Sequence, residues 1–292
     1  LSQIFQPHFS DCGNVRCAGA EPVRVRILKD GSYVVLLQAS SSVKVMRFLP
    51  DGTLRFKTLI IPKVKSLGAG GFYRSLNLEV DDSGGIHVAV GLEQDEKNGF
   101  NKTHPQHPVE FSEGSVPVLI QLDTSGAIIK TQAVQPGWKD CDVRSLAVSS
   151  NTSVIVGVCT ERGRAGRYGF VAKATAQEAI MLKPLALGSE FESPWAVDIL
   201  PDGRIIAAGN FDYHQVATGS ITKPAQAFIV VFDGGLNRIS FDKFGGKRNY
   251  LVRRIRQFEG GEVYSSASLE GPITHDTDRT QKSAIYRLTI PK

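Results

Sequence analysis

Apolar and polar residues alternate along this chain in short runs, and the runs come in groups of four. The clearest group spans 194–246, where PWAVDIL, RIIAAGNF, AFIVVFD and NRISFDKF are four short apolar runs of strand length. Pro201-Asp202-Gly203 separates the first two runs and Asp233-Gly234-Gly235 the last two. Asp-Gly between alternating runs predicts a tight hairpin, because the turn needs a positive φ that Gly, Asn and Asp tolerate best.

The group recurs. VRVRILKDGSYVVLLQAS with VKVMRFLPDGTLRFKTLII is one copy, and LNLEVDDSGGIHVAVGLE with VPVLIQLDTSGAIIKTQAV is the next. A third runs VRSLAVSSNTSVIVGVCTE with YGFVAKATAQEAIMLKPLAL, and a fifth VRRIRQFEGGEVYSSASLE with SAIYRLTIPK. First strands start near Val23, Ser75, Val143, Trp195 and Val252, at intervals of 52, 68, 52 and 57 residues. An all-strand repeat of this length predicts an all-β, five-bladed β-propeller of four-stranded blades. The fifth copy ends after its third strand, and residues 2–10 (SQIFQPHFS) resemble the missing fourth. The expectation is one domain over 1–292, its ring closed by that N-terminal strand completing the blade formed by 251–292. Only ATAQEAIMLK has a helical composition, and it sits where the third copy needs a hairpin.

Gly203 to Gly209, Phe228 to Gly235 and Phe244 to Gly246 best carry a D-G-x-I-x-x-A-G, F-x-x-x-x-D-x-x-G, F-G-G pattern, with the last glycine of the second block one residue early, at Gly235. It resembles the bacterial exported propeller repeats known as delta-60 and SBBP repeats. The resemblance implies the fold and an exported protein; it brings no reaction with it.

Composition changes this picture little. Lys and Arg number 34 against 29 Asp and Glu, giving a net charge of +5, a mild bias toward anionic partners. No basic tract interleaved with aromatics suggests nucleic acid, and no apolar run approaches the roughly 18 residues of a membrane span. Cys12 with Cys17 and Cys141 with Cys159 are spaced as local disulfides rather than as a zinc knuckle, which places the chain in an oxidising compartment: extracellular, periplasmic or cell-surface. Any export signal is expected to have been removed, and a monomer is expected. P-loop, G-x-S-x-G and H-E-x-x-H motifs are absent.

Candidate chemistry gathers on one face. The sizeable insertions, Leu92 to Ser115, Glu161 to Tyr168, Phe211 to Gln226 and Glu270 to Lys282, all join second to third strands, whereas the other hairpin turns are short. They hold His104, His107, His214 and His275, with Glu93, Asp95, Glu96, Asp212, Asp276 and Asp278. Tyr213, His214, His275 and Arg279 are the candidate catalytic set, with Arg162 and Asp212 beside them. Connections between blades add aromatic and basic residues, Tyr73, Arg74, Trp138, Trp195 and Tyr250, suited to stacking on sugars and pairing with acids. No cofactor motif is present, and calcium stays open as a loop ligand. Aligning the first strands puts Arg26, Glu79, Ala147, Asp198 and Arg256 at one position, two bases facing two acids.

The expected function is binding of a carbohydrate, an acidic one foremost, on the elaborated face. The alternatives are a polysaccharide lyase or glycoside hydrolase with a single central site, and a protein-interaction scaffold.

Overall fold

A computed structural model describes residues 21–39, 42–62, 76–111, 114–135, 139–160, 167–175, 179–188, 191–211, 226–245, 249–258, 262–270 and 282–288. The described chain is nearly all strand, in five antiparallel sheets whose strands follow one another in chain order. The first holds β1 (Glu21–Ile27), β2 (Tyr33–Ala39), β3 (Ser42–Phe48) and β4 (Leu54–Ile61). The second holds β5 (Asn77–Val80), β6 (Ile86–Glu93), β7 (Ser115–Leu122) and β8 (Ile128–Ala133), with helix α1 (Gln94–Thr103) between β6 and β7. In the third are β9 (Lys139–Ser149), β10 (Thr152–Thr160), β11 (Arg167–Thr175) and β12 (Met181–Pro184). The fourth comprises β13 (Glu192–Ile199), β14 (Ile205–Phe211), β15 (Gln226–Phe232) and β16 (Arg238–Phe244), and the last β17 (Asn249–Gln257), β18 (Val263–Glu270) and β19 (Lys282–Leu288). The proposed closing strand, 2–10, lies outside the described residues.

Each sheet packs face to face on the next, and the core is four slabs between consecutive sheets. Val34, Leu36, Val43 and Val45 meet Ile86, Val88, Val90 and Leu92 between the first two. Ala89 and Leu119 meet Ile155 and Ala172 between the second and third. Val154, Val156 and Val171 meet Ile205, Ala207 and Phe228 between the third and fourth, and Ile206 and Ala208 meet Val252 and Val263 between the fourth and fifth. Successive residues of a strand point to opposite faces, so a strand covered on both sides buries every residue. That is why β14 is buried throughout while the rim strand β16 is largely exposed. Hydrophobic transfer of about 25 cal/mol per Å² over these slabs is the main force holding sheet to sheet.

Six hairpin turns repeat one geometry. In the first, Gly31 N–H donates to Leu28 O at 3.0 Å and Leu28 N–H to Ser32 O at 2.8 Å. The same pair recurs at 49–53, 81–85, 123–127, 200–204 and 233–237. This is a three-residue connection with one left-handed residue closing it. Gly31, Gly52, Gly84, Gly126 and Gly203 take that place, with φ between 78 and 88°. In the sixth, the left-handed residue is Leu236 at φ 59°, not Gly234 or Gly235. Asp233 sets the register as Asp81 and Asp123 do in theirs: its carboxylate accepts the N–H groups of Gly235 and Asn237, so the left-handed place falls on Leu236, one residue past the glycines.

The ATAQEAIMLK segment enters a hairpin as expected, with β11 pairing β12 from Phe170↔Pro184 to Lys173↔Met181. Helix α1 was not anticipated. Its sequence, QDEKNGFNKT, has a glycine and two asparagines that lower helix propensity. Its ends and anchor compensate: Glu93 N–H donates to the Glu96 carboxylate at 3.2 Å, Asp95 and Glu96 lie at the positive end of the helix dipole, and Phe100 is fully buried.

Candidate functional site

The face of the insertions carries a cleft of about 470 Å³ between the second and third sheets. Its walls are Glu93, Gln94 and Asp95 at the β6–α1 junction, Gly114 and Ser115 where the chain enters β7, Asp140 and Asp142 on β9, and Thr160 at the end of β10. Local covalent and hydrogen-bonded structure fixes each wall. Gln94 N–H donates to Gly114 O at 3.1 Å, and Ser115 Oγ donates to Cys141 O at 3.0 Å, tying β7 to β9. Cys141 and Cys159 are directly paired across β9 and β10 and joined by a disulfide, as their spacing predicted. Beside them the ladder skips a residue, and Asp140 bulges out with φ 51°. A bulge re-aims a side chain, and here it turns a carboxylate to the cleft mouth. Gly114 lies against it: a Cβ there would come within 2.9 Å of Asp140 Oδ1, and its φ of 71° suits glycine alone.

Four carboxylates therefore line one cleft with two hydroxyls and an amide. No group of three or more His, Cys, Asp or Glu side chains among the described residues is arranged to hold a metal ion. Ionised carboxylates are acceptors only, so the cleft presents hydrogen-bond acceptors at several spaced points.

A second bulge device lies at the inner edge beside this cleft. The β9 and β13 ladders skip Arg144 and Trp195 respectively. The two side chains stack, the guanidinium 4.6 Å from the ring centroid, and Arg144 Nη2 lies 3.7 Å from the Asp142 carboxylate. Burial pushes the Arg144 guanidinium pKa down, Asp142 pushes it back up, and nearby Arg167 lowers it further. One face of Trp195 is thus covered by Arg144, and the ring is half-buried.

His107 sits on the insertion, but at the outer strands. Thr131 on β8 donates to its carbonyl at 2.9 Å. Its neighbour His104 contacts Phe100 and reaches Ile60 O on β4, and burial lowers its pKa. Glu93 and Asp95, named with the loop carboxylates, line the cleft, whereas Glu96 is buried and turns back to the helix start. Tyr250 lies on β17, with its side chain outside the described set. Tyr73, Arg74, Trp138, Arg162, Asp212, Tyr213, His214, His275, Arg279 and the Cys12–Cys17 pair fall outside the described residues. Asp140, Asp142, Ser115 and Thr160 were missed, although each adjoins a cysteine or stands at an insertion boundary.

On the opposite face, Asp81, His87 and Ser153 form a buried relay. His87 Nε2 lies 2.9 Å from Asp81 Oδ2, and Ser153 Oγ 3.0 Å from His87 Nδ1. The order of groups is that of an activated serine. The space beside it is only about 20 Å³, room for one water, so the relay is a tie between the second and third sheets.

No family model and no curated protein matches the sequence. Solved structures do match in shape. An ulvan lyase of a new polysaccharide lyase family, bound to -[GlcA(1-4)Rha3S]-, has 10% identity and a TM-score of 0.52, over 90% of this chain and 67% of that one. The polysaccharide lyase Uly1 has 13% identity and a TM-score of 0.48, over 91% and 57%. Extracellular domains 1-2 of Drosophila Semaphorin 1b have 9% identity and a TM-score of 0.46, over 90% and 65%. This chain spans less than two thirds of the last two. No helix among the described residues is long and apolar enough to cross a membrane. At such identity the likeness is one of architecture, and the chain has a propeller-like fold of five antiparallel sheets.

Proposed function

We propose that this chain is a five-bladed propeller, completed by residues 2–10 beside β19, that binds a carbohydrate outside the cytosol on the face of its second-to-third-strand connections. The observation that carries the reading is the cleft of Glu93, Asp95, Asp140 and Asp142, with Ser115 and Thr160 between them, held by the Cys141–Cys159 disulfide. Carboxylates fixed at several points accept hydrogen bonds from sugar hydroxyls, and a rigid wall loses little entropy on binding. The disulfide fits an oxidising compartment. Trp138, Tyr73, Arg74, Tyr250, Arg162 and Asp212 are proposed to extend this surface from the neighbouring connections, as a monomer.

The experiment is incubation with a panel of neutral and acidic polysaccharides, ulvan among them, followed by size-exclusion chromatography. Co-elution without shortening, weakened by Asp142→Asn, supports recognition. Shortening of the polymer would make the chain an enzyme and turn attention to Tyr213, His214, His275 and Arg279. A panel without co-elution or shortening would overturn the carbohydrate reading. Repeating the runs with calcium and with a chelator tests the open question of that ion.

A further inference from the structure

The first strands of the five sheets are in equivalent registers, so their residues can be read as rungs around the inner edge. Arg26, Glu79, Ala147, Asp198 and Arg256 pair with Val34, His87, Val154, Ile206 and Tyr264 and form one rung. Its charges are matched. The Arg26 guanidinium makes two hydrogen bonds to Glu79, one of them Nε to Oε2 at 2.6 Å. The Asp198 carboxylate accepts Gln257 N–H at 2.8 Å and is stabilised by the Arg256 charge.

Two residues nearer the elaborated face lies a rung of different character: Arg24, Asn77, Ser145, Ala196 and Arg254. It holds two guanidinium groups and no acid. Asn77 is 6% exposed, and its side-chain Nδ2 donor is buried without a hydrogen-bond partner. Ser145 Oγ already accepts Val197 N–H at 3.3 Å, which leaves its own hydrogen to donate outward. A buried donor left unsatisfied is destabilising unless an acceptor arrives. Consecutive first strands touch from β1 through β5, β9 and β13 to β17, which brings these donors to one locus. Arg24 senses its neighbours: burial lowers its pKa, the positive charges of Arg254 and Arg26 lower it further, and the Glu79 carboxylate of the adjacent rung raises it.

We propose that the Arg24–Asn77–Ser145–Arg254 rung is an oxyanion-binding site, which takes the carboxylate or sulfate of an acidic saccharide entering from the elaborated face. The acidic character of the ligand rests on the carbohydrate reading above; the anion site itself does not. Guanidinium groups supply charge and paired N–H donors, and Asn77 and Ser145 supply neutral ones.

The test is isothermal titration at low salt with two probes, inorganic sulfate and tetragalacturonate, against the native chain and the variants Arg24→Gln, Arg254→Gln, Asp142→Asn and Lys57→Gln. Circular dichroism melts report whether each variant folds, and the exposed Arg254 keeps the test available if Arg24→Gln does not. The expected result is at least tenfold weaker binding in either Arg variant and unchanged binding in Lys57→Gln. Tighter binding of the oligosaccharide than of sulfate, with both lost together, identifies a sugar acid as the source; sulfate binding alone identifies a free anion and leaves the site standing without the carbohydrate. Unchanged affinities in both Arg variants, or binding of neither probe to the native chain, would overturn the site. Oligosaccharide binding that survives Arg254→Gln but is lost in Asp142→Asn would also overturn it while leaving the carbohydrate reading intact.

Discussion

The two faces of this molecule are built by opposite rules. The plain face uses one turn six times, each closed by the same pair of backbone hydrogen bonds and in each case steadied by an aspartate. On the described part of the elaborated face little repeats: one connection becomes a capped helix, and a bulge, a disulfide and four acids meet in a single cleft. Repetition marks the parts that make sheets close and pack. Departure from it marks the place where, among the described residues, one sheet interface gathers a cleft of acids and hydroxyls.

The comparison breaks most severely where the faces share their support. A Cβ at Gly209 would lie 2.2 Å from Ser193 O and 2.5 Å from Pro194 Cα, both backbone atoms of the inner strand beside the Trp195 bulge. Gly209→Val is expected to cost about 3 kcal/mol or more, read as a loss of folded protein in urea titrations. Next comes Cys141→Ser with Cys159→Ser, which opens a link across 18 residues. It should cost about 3 kcal/mol, and it should loosen the cleft while sparing the turns, a difference hydrogen exchange of the Asp140 and Gly203 amides will show.

Gly203→Ala sharpens the other side. No atom lies within 4 Å of the added methyl, so only the left-handed backbone at φ 83° opposes it, and the expected loss is about 1 kcal/mol with saccharide binding unchanged. The smallest effects come from single turn carboxylates. Hydrogen bonds from Ser32 to Asp30, Thr53 to Asp51, Ser125 to Asp123, Arg204 to Asp202 and Asn237 to Asp233 hold these groups below their ordinary pKa. At Asp81 burial pushes upward, and hydrogen bonds from Ser83, His87 and Gly85 outweigh it. A lowered folded-state pKa stabilises the fold above the unfolded value of about 3.9 and loses that contribution as pH falls through the folded value. Melting temperatures should therefore be flat from neutral pH to about 5 and fall below about 4. Asp198 acts in the opposite sense, because burial raises its pKa, so its protonation on acidification favours the folded chain.

What the sequence made legible follows the same division. Asp-Gly turns and the apolar runs between them located nearly every described strand, because each local signal agrees with the fold around it. The Arg26–Glu79 pair was legible for the same reason: the turns set the register, and the register set the partners. Helix α1 was not, since its stability comes from Phe100 and its capped start rather than from propensity. Asp140 was not either, because a bulge depends on how β9 pairs with β10 and leaves no periodicity of its own. The donor rung was half visible: Arg24 and Arg254 flank the aligned charges in sequence, but the orphaned amide of Asn77 exists only once the sheets pack.

The central claim is that ligand recognition belongs to the elaborated face. Its most direct measurement is backbone amide hydrogen exchange with and without the saccharide retained in the panel. The account predicts added protection at Gln94, Ser115, Asp142 and Thr160, with the six turns unchanged. Protection confined to the turns, or spread evenly over both faces, would contradict it.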